Sequence, residues 1–124
     1  MPREIVLVVE DDPNIGGLVE QVLREAGYRP EWVRDVDEAR AAAGRGLAPA
    51  AVLSDLIVAG SSGPDRLAGE LERLFPGAGV ALMTGVPPKR RAAMGVTHGI
   101  VIEKPFELHT LLGAVEALIK RPPT

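Results

Sequence analysis

Four short apolar runs in this chain each end in residues that can do chemistry. Ile5-Val6-Leu7-Val8-Val9 runs into Glu10-Asp11-Asp12, and Ala51-Val52-Leu53-Ser54 runs into Asp55. Val80-Ala81-Leu82-Met83 runs into Thr84, and Ile100-Val101-Ile102-Glu103 runs into Lys104-Pro105. Gathered in one place, they supply three or more carboxylates, a hydroxyl and an ammonium. Hard carboxylate oxygens suit a divalent cation, and a hydroxyl with an ammonium suits phosphoryl oxygens. Each residue alone is ordinary: an Asp or Thr can end a strand, and a lone Lys can be solvated. Together they describe phosphoryl transfer.

The elements between these ends can bring them together. The apolar runs are short and rich in Val, Ile and Leu, as in parallel strands buried on both faces. Arg29 to Val33 reads as a further, more polar edge strand. Helical periodicity fills the gaps. A first helix spans about Pro13 to Ala26, with Ile15, Leu18, Val19, Val22 and Leu23 as its stripe, Asp12 as N-cap and Gly27 as stop. A second starts at Asp35, where Asp35-Val36-Asp37-Glu38 has the capping-box form, and runs to about Gly44. A third spans about Pro64 to Phe75, and a last helix spans Glu107 to Lys120. Between Val86 and Gly99, Pro87-Pro88 leaves only about Lys89 to Met94 for a fourth. The alternating order predicts an α/β fold, a (βα)5 three-layer sandwich around a parallel five-stranded sheet. The flavodoxin-like strand order 2-1-3-4-5 puts strands one and three at the switch point, bringing Glu10 to Asp12 beside Asp55.

Composition narrows the function classes. The 124 residues make one domain with room for a real core, and 46% are apolar against 25% charged. Aromatics are only 3%, so aliphatic side chains fill the interior. A net charge of −3 lacks the basic balance of a nucleic-acid binder. The absence of cysteine excludes disulfides, thiolate zinc and a thiol nucleophile. With no signal-peptide pattern and no membrane-length apolar run, the expectation is a cytoplasmic domain without membrane contact.

The motifs resemble the receiver domains of two-component response regulators. The resemblance runs from Ile5 to about Ile119 and rests on Val-Val-Glu-Asp-Asp at 8–12, Ser-Asp at 54–55, Gly63, Met-Thr-Gly at 83–85 and Lys-Pro-Phe at 104–106. It implies one receiver domain over residues 1–124, with a core of about 4–120 and a tail at 121–124. Asp55 is then the phosphoacceptor, Thr84 the hydroxyl that bonds a phosphoryl oxygen, and Lys104 the cation that pairs with the acyl phosphate. The resemblance implies Mg2+ held by Asp11, Asp55 and the main-chain carbonyl of Ile57, with Glu10 acting through a coordinated water. Asp12, already explained as a cap, is a further candidate. It also implies a cis bond between Lys104 and Pro105. The implied partners are a histidine kinase or phosphotransfer protein upstream and an unspecified protein downstream, the chain being a monomer or weak dimer.

Three positions depart from the family pattern. Val101 stands where an aromatic residue usually reports phosphorylation, Ala59 stands for a usual Pro, and the fourth helix is short and proline-interrupted. The Thr-Gly pair and that shortened helix look more like receivers attached to hybrid sensor kinases. Ile57 and Val86, two residues after Asp55 and Thr84, cannot orient an attacking water, so a slowly hydrolysing aspartyl phosphate is expected. Beyond its own phosphorylation and dephosphorylation, no enzyme activity is expected. A second reading is a binding module of the same fold that works without phosphorylation; Val101 favours it, and the complete site set opposes it. A third, a phosphohydrolase, needs an acid/base Asp where Ile57 stands. His98, in a turn, and His109, on the last helix, lack a phosphodonor context. Lys89-Arg90-Arg91 reads as a solvated helix face, and Trp32 as edge-strand packing.

Overall fold

The computed structural model describes residues 4–97 and 100–120. Five strands, β1 (Ile5–Val9), β2 (Arg29–Val33), β3 (Ala51–Asp55), β4 (Gly79–Thr84) and β5 (Val101–Glu103), pair in parallel in the order β2-β1-β3-β4-β5. They alternate with α1 (Pro13–Glu25), α2 (Val36–Gly44), α3 (Leu67–Leu74), α4 (Pro88–Ala93) and α5 (Leu108–Lys120). This is the flavodoxin-like (βα)5 sandwich expected from the alternation of runs.

The two-residue period of the strands splits the core into two apolar layers. Val6, Val8, Leu53, Ala81 and Met83 meet α1 through Val19 and Leu23, and α5 through Leu111, Val115 and Leu118. Leu7, Val9, Val52, Val80 and Leu82 face the other way, onto Val36 and Ala39 of α2 and Leu67 and Leu71 of α3. Each fully buried Leu or Val contributes about 1.5–3 kcal/mol by leaving water, so the sheet is a rigid platform for the residues at its carboxyl edge. No residue of α4 is buried. Among the described residues, the segment behind it reaches the second layer through the partly buried Met94 and Val96.

Local chemistry sets the boundaries. Asp12 caps α1 by accepting from the Asn14 N–H at 2.9 Å, and Gly27 stops it at a positive φ of 96°. Asp35 caps α2 by accepting from the Glu38 N–H at 2.8 Å, and the Glu38 carboxylate reaches back to the Arg34 N–H at 2.7 Å. α3 starts at Leu67 rather than Pro64: Gly63, at φ 135°, turns the chain, and its carbonyl accepts from the Arg66 N–H at 3.0 Å. The residues between form a turn, and no side chain caps the helix. β4 begins one residue early, at Gly79, and β5 begins at Val101. Ile100 contributes only its carbonyl, which accepts from the Leu82 N–H at 3.1 Å. Glu107 flanks α5 rather than opening it, its carbonyl accepting from the Thr110 and Leu111 N–H groups. The expected turn at His98 and the tail at 121–124 lie outside the described residues.

Candidate functional site

The carboxyl ends of β1, β3, β4 and β5 converge as the strand order requires. Asp55 closes β3, one register step beyond Ser54, which pairs with Val9, the last residue of β1. Ligand oxygens of Glu10, Asp11 and Asp55 lie within 4.8 Å of one another. Asp12 is not in that cluster. Its side chain is exposed and committed to the Asn14 N–H.

Lys104 holds the cluster together. Its Nζ donates to Glu10 Oε1 at 3.0 Å and to Asp55 Oδ1 at 3.3 Å. Asp55 Oδ1 also accepts from the Leu56 N–H at 2.9 Å, and Glu10 Oε2 from the Asp12 N–H at 3.2 Å. Glu10 is almost sealed, at 1% side-chain exposure, whereas Asp55 and Lys104 each keep 19%. Burial therefore pushes the Glu10 carboxyl above its ordinary range, partly opposed by the bonds from Lys104 and the Asp12 amide, and the Asp55 charge adds to the rise. For Lys104, burial acts to lower the pKa. The bond to Glu10 and the charge of Asp55 outweigh it and hold the ammonium above its usual value. The peptide bond between Lys104 and Pro105 is cis.

Thr84 ends β4 at 3% exposure, and its Oγ1 accepts from the Val86 N–H at 3.0 Å. That bond uses an oxygen lone pair and leaves the hydroxyl proton available for donation. Ile57, two residues past Asp55, is 57% exposed at the rim. Val101 is half-buried on β5, paired with Leu82. His109 sits on α5 with an exposed contact to Glu107 at 3.2 Å.

Two side chains do more here than their residue types announced. Trp32 is not only edge packing: its Nε1 donates to the main-chain carbonyl of Glu10 at 2.8 Å. Its indole also covers Gly16, where a Cβ would collide with the ring. Arg91 is not solvated. At 14% side-chain exposure its Nη1 donates to the Val86 carbonyl at 2.7 Å and to Glu103 Oε2 at 3.3 Å. A tryptophan on the more polar edge strand was the available signal for the first, because its N–H needs a partner. Nothing in the sequence marked Arg91 out from its two basic neighbours.

The donor set is all oxygen, which fits a hard divalent cation, and it borders one ammonium and one hydroxyl suited to a phosphoryl group. No protein-family model matches the chain. Among curated proteins, it is 30% identical over 121 residues to the DNA-binding response regulator MtrA of Mycolicibacterium smegmatis, covering 96% of this chain and 52% of that protein. The chain thus spans about half the length of that relative. A solved receiver domain of the sensor histidine kinase PA1611 from Pseudomonas aeruginosa, with magnesium in its active-site cleft, superposes with a TM-score of 0.80. It is 24% identical, over 95% of this chain and 98% of that one. A Burkholderia pseudomallei response regulator, solved with a phosphorylated aspartic acid, calcium and citrate, superposes with a TM-score of 0.75. It is 25% identical, over 90% of this chain and 66% of that one.

Fold, acidic pocket and relatives together define the class: the chain is a CheY-like receiver domain of the response-regulator family. Receiver domains of this kind are regulatory phosphoacceptors, and the pocket of Glu10, Asp11 and Asp55 fits that role.

Proposed function

We propose that Asp55 accepts a phosphoryl group from a phosphohistidine of a histidine kinase or phosphotransfer protein, with Mg2+ bound, and that a protein partner reads the resulting change. The observation that carries this reading is Lys104 bridging Glu10 and Asp55 over three clustered carboxylates. Such a cluster is costly without compensating positive charge. Asp11 and Asp55 would hold the metal directly, with the Ile57 main-chain carbonyl, and Glu10 through water. When bound, the metal neutralises carboxylate and phosphoryl charge.

The remaining chemistry belongs to the chain. A carboxylate oxygen of Asp55 attacks phosphorus in line, the P–N bond of the donor breaks, and the imidazole leaves with the bonding pair. The Leu56 N–H, bonded to Oδ1, fixes the carboxylate orientation so that Oδ2 can attack. Lys104 exchanges its contact with Oδ1 for a phosphoryl oxygen. The Thr84 hydroxyl donates to a second phosphoryl oxygen. Beside Lys104, a groove of about 370 Å³ lined by Ile15, Leu18, Pro105 and Phe106 offers the donor protein an apolar seat. The phosphoryl group adds negative charge and acceptor oxygens at the carboxyl edge, and this biases the loops that carry it.

Intact mass after incubation with acetyl phosphate and Mg2+ tests the reading. One phosphoryl addition is expected, absent from Asp55→Asn and from a chelated control. A folded protein that binds Mg2+ yet gains no mass supports the second reading, a phosphorylation-independent binding module. Two observations favour that alternative: Val101 replaces the usual aromatic reporter, and α4 buries no residue.

A further inference from the structure

We propose that Trp32 is a positioning residue for the metal site, acting through the main chain of Glu10; this rests on the Mg2+-dependent reading above. β1 and β2 pair in register up to Val9 and Val33, and one further rung joins the Glu10 N–H to the Val33 carbonyl at 3.0 Å. In an evenly spaced parallel ladder the next donor, for the Glu10 carbonyl, comes from the main chain of the partner strand. β2 has ended by then, and Asp35 has turned away to cap α2. The Trp32 indole supplies the missing donor, its Nε1 lying 2.8 Å from that carbonyl.

The ring is itself fixed. It lies over Gly16, a buried position in α1 that tolerates no Cβ without moving the indole. Trp32 therefore pins the acidic loop to both β2 and the start of α1. Glu10 is held at every polar group: N–H by Val33, carbonyl by Trp32, and carboxylate by Lys104 and the Asp12 N–H. Asp11 has no such bond of its own among those described, so its direction is inherited from its fixed neighbour. Without the indole bond, the peptide joining Glu10 to Asp11 can rotate, and only part of the population presents both carboxylates toward Asp55. The apparent metal dissociation constant rises by the inverse of that fraction.

Trp32→Phe removes the indole donor together with the far edge of the indole that lies over Gly16. Calorimetric titration with Mg2+ should show about a three- to tenfold weaker dissociation constant for the variant. Chemical denaturation of the same protein measures the purely structural cost. An unchanged Mg2+ constant in a folded variant overturns the proposal alone. Wild-type protein that takes up no Mg2+ overturns the functional reading and the proposal together. A second measurement needs no variant, because coupling is reciprocal: Mg2+ should slow hydrogen exchange at the Trp32 indole of the wild type by the same factor. Trp32 is the single tryptophan, so its signal is unambiguous. An indole that exchanges as fast with Mg2+ as without it overturns the proposal even if Trp32→Phe fails to fold.

Discussion

Replacing Lys104 with Met removes the charge and keeps most of the apolar stem. Its ammonium sits 3.0 Å from one carboxylate and 3.3 Å from another. At an effective dielectric near 20, each attraction is about 5 kcal/mol before desolvation. Most of that is cancelled by the cost of drying the ammonium, and removing one partner of a buried pair leaves a net loss of about 3–5 kcal/mol. Lys104 and Asp55 retain some solvent contact, which moves the expectation to about 2–3 kcal/mol at neutral pH without divalent cation. The sign with pH follows from the two shifts. The raised Lys104 pKa means that its contribution is complete below its ordinary value and is lost only as pH climbs through the folded value, so it is fully present at neutrality. The raised Glu10 pKa means that its carboxylate costs stability as pH rises through the folded value, and losing Lys104 enlarges that cost. Urea unfolding of wild type and Lys104→Met, in chelator, should therefore show a gap that narrows from neutral pH toward about pH 4 as Glu10 takes up a proton. Saturating Mg2+ should narrow it too. An equal gap at both pH values would refute the electrostatic argument and assign the loss to packing of the lysine stem.

Three more variants probe separate parts of the site. Ile57→Asn with Val86→Glu should speed loss of phosphate at least about tenfold, short of the 10²–10⁴ of a full general base; an unchanged lifetime by timed intact mass would disprove slow intrinsic hydrolysis. Arg91→Ala should raise amide exchange of the α4 segment while costing under about 1.5 kcal/mol overall, because one hydrogen bond and one rim ion pair are lost. Unchanged exchange there would show that α4 is held by something other than Arg91. Asp12→Ser should leave both stability and Mg2+ affinity near wild type, since Ser also caps helices and Asp12 lies outside the carboxylate cluster; a tenfold loss of affinity would make Asp12 a ligand.

The strands were legible because parallel strands buried on both faces must be continuous apolar runs, and their ends carried the site with them. Capping chemistry placed α1 and α2 to within a residue at their starts, since Asp12 and Asp35 act on their own neighbours. α3 was harder. Pro64 looks like a first helical residue, but the Gly63 carbonyl bond to Arg66 spends that stretch on a turn. Two long-range side-chain bonds were the least legible. Trp32 reaches Glu10 across 22 positions, and Arg91 reaches Glu103 across 12, so neither leaves a periodic trace. The family resemblance supplied roles for Thr84 and Lys104 that their types alone do not carry. It was silent on these two contacts.

The Lys104–Glu10 pair joins residues 94 positions apart, and the Lys104–Asp55 pair spans 49. A chain emerging from the ribosome exposes its acidic loop first, then its nucleophile, then its hydroxyl, and its ammonium last. Until β5 has docked on β4, the carboxylates repel one another with no cation of the chain's own between them. Loop closure over so long a span comes late in folding. Assembly of the site is therefore coupled to completion of the fold: an unfinished or misfolded copy has the aspartate but lacks the ammonium beside it.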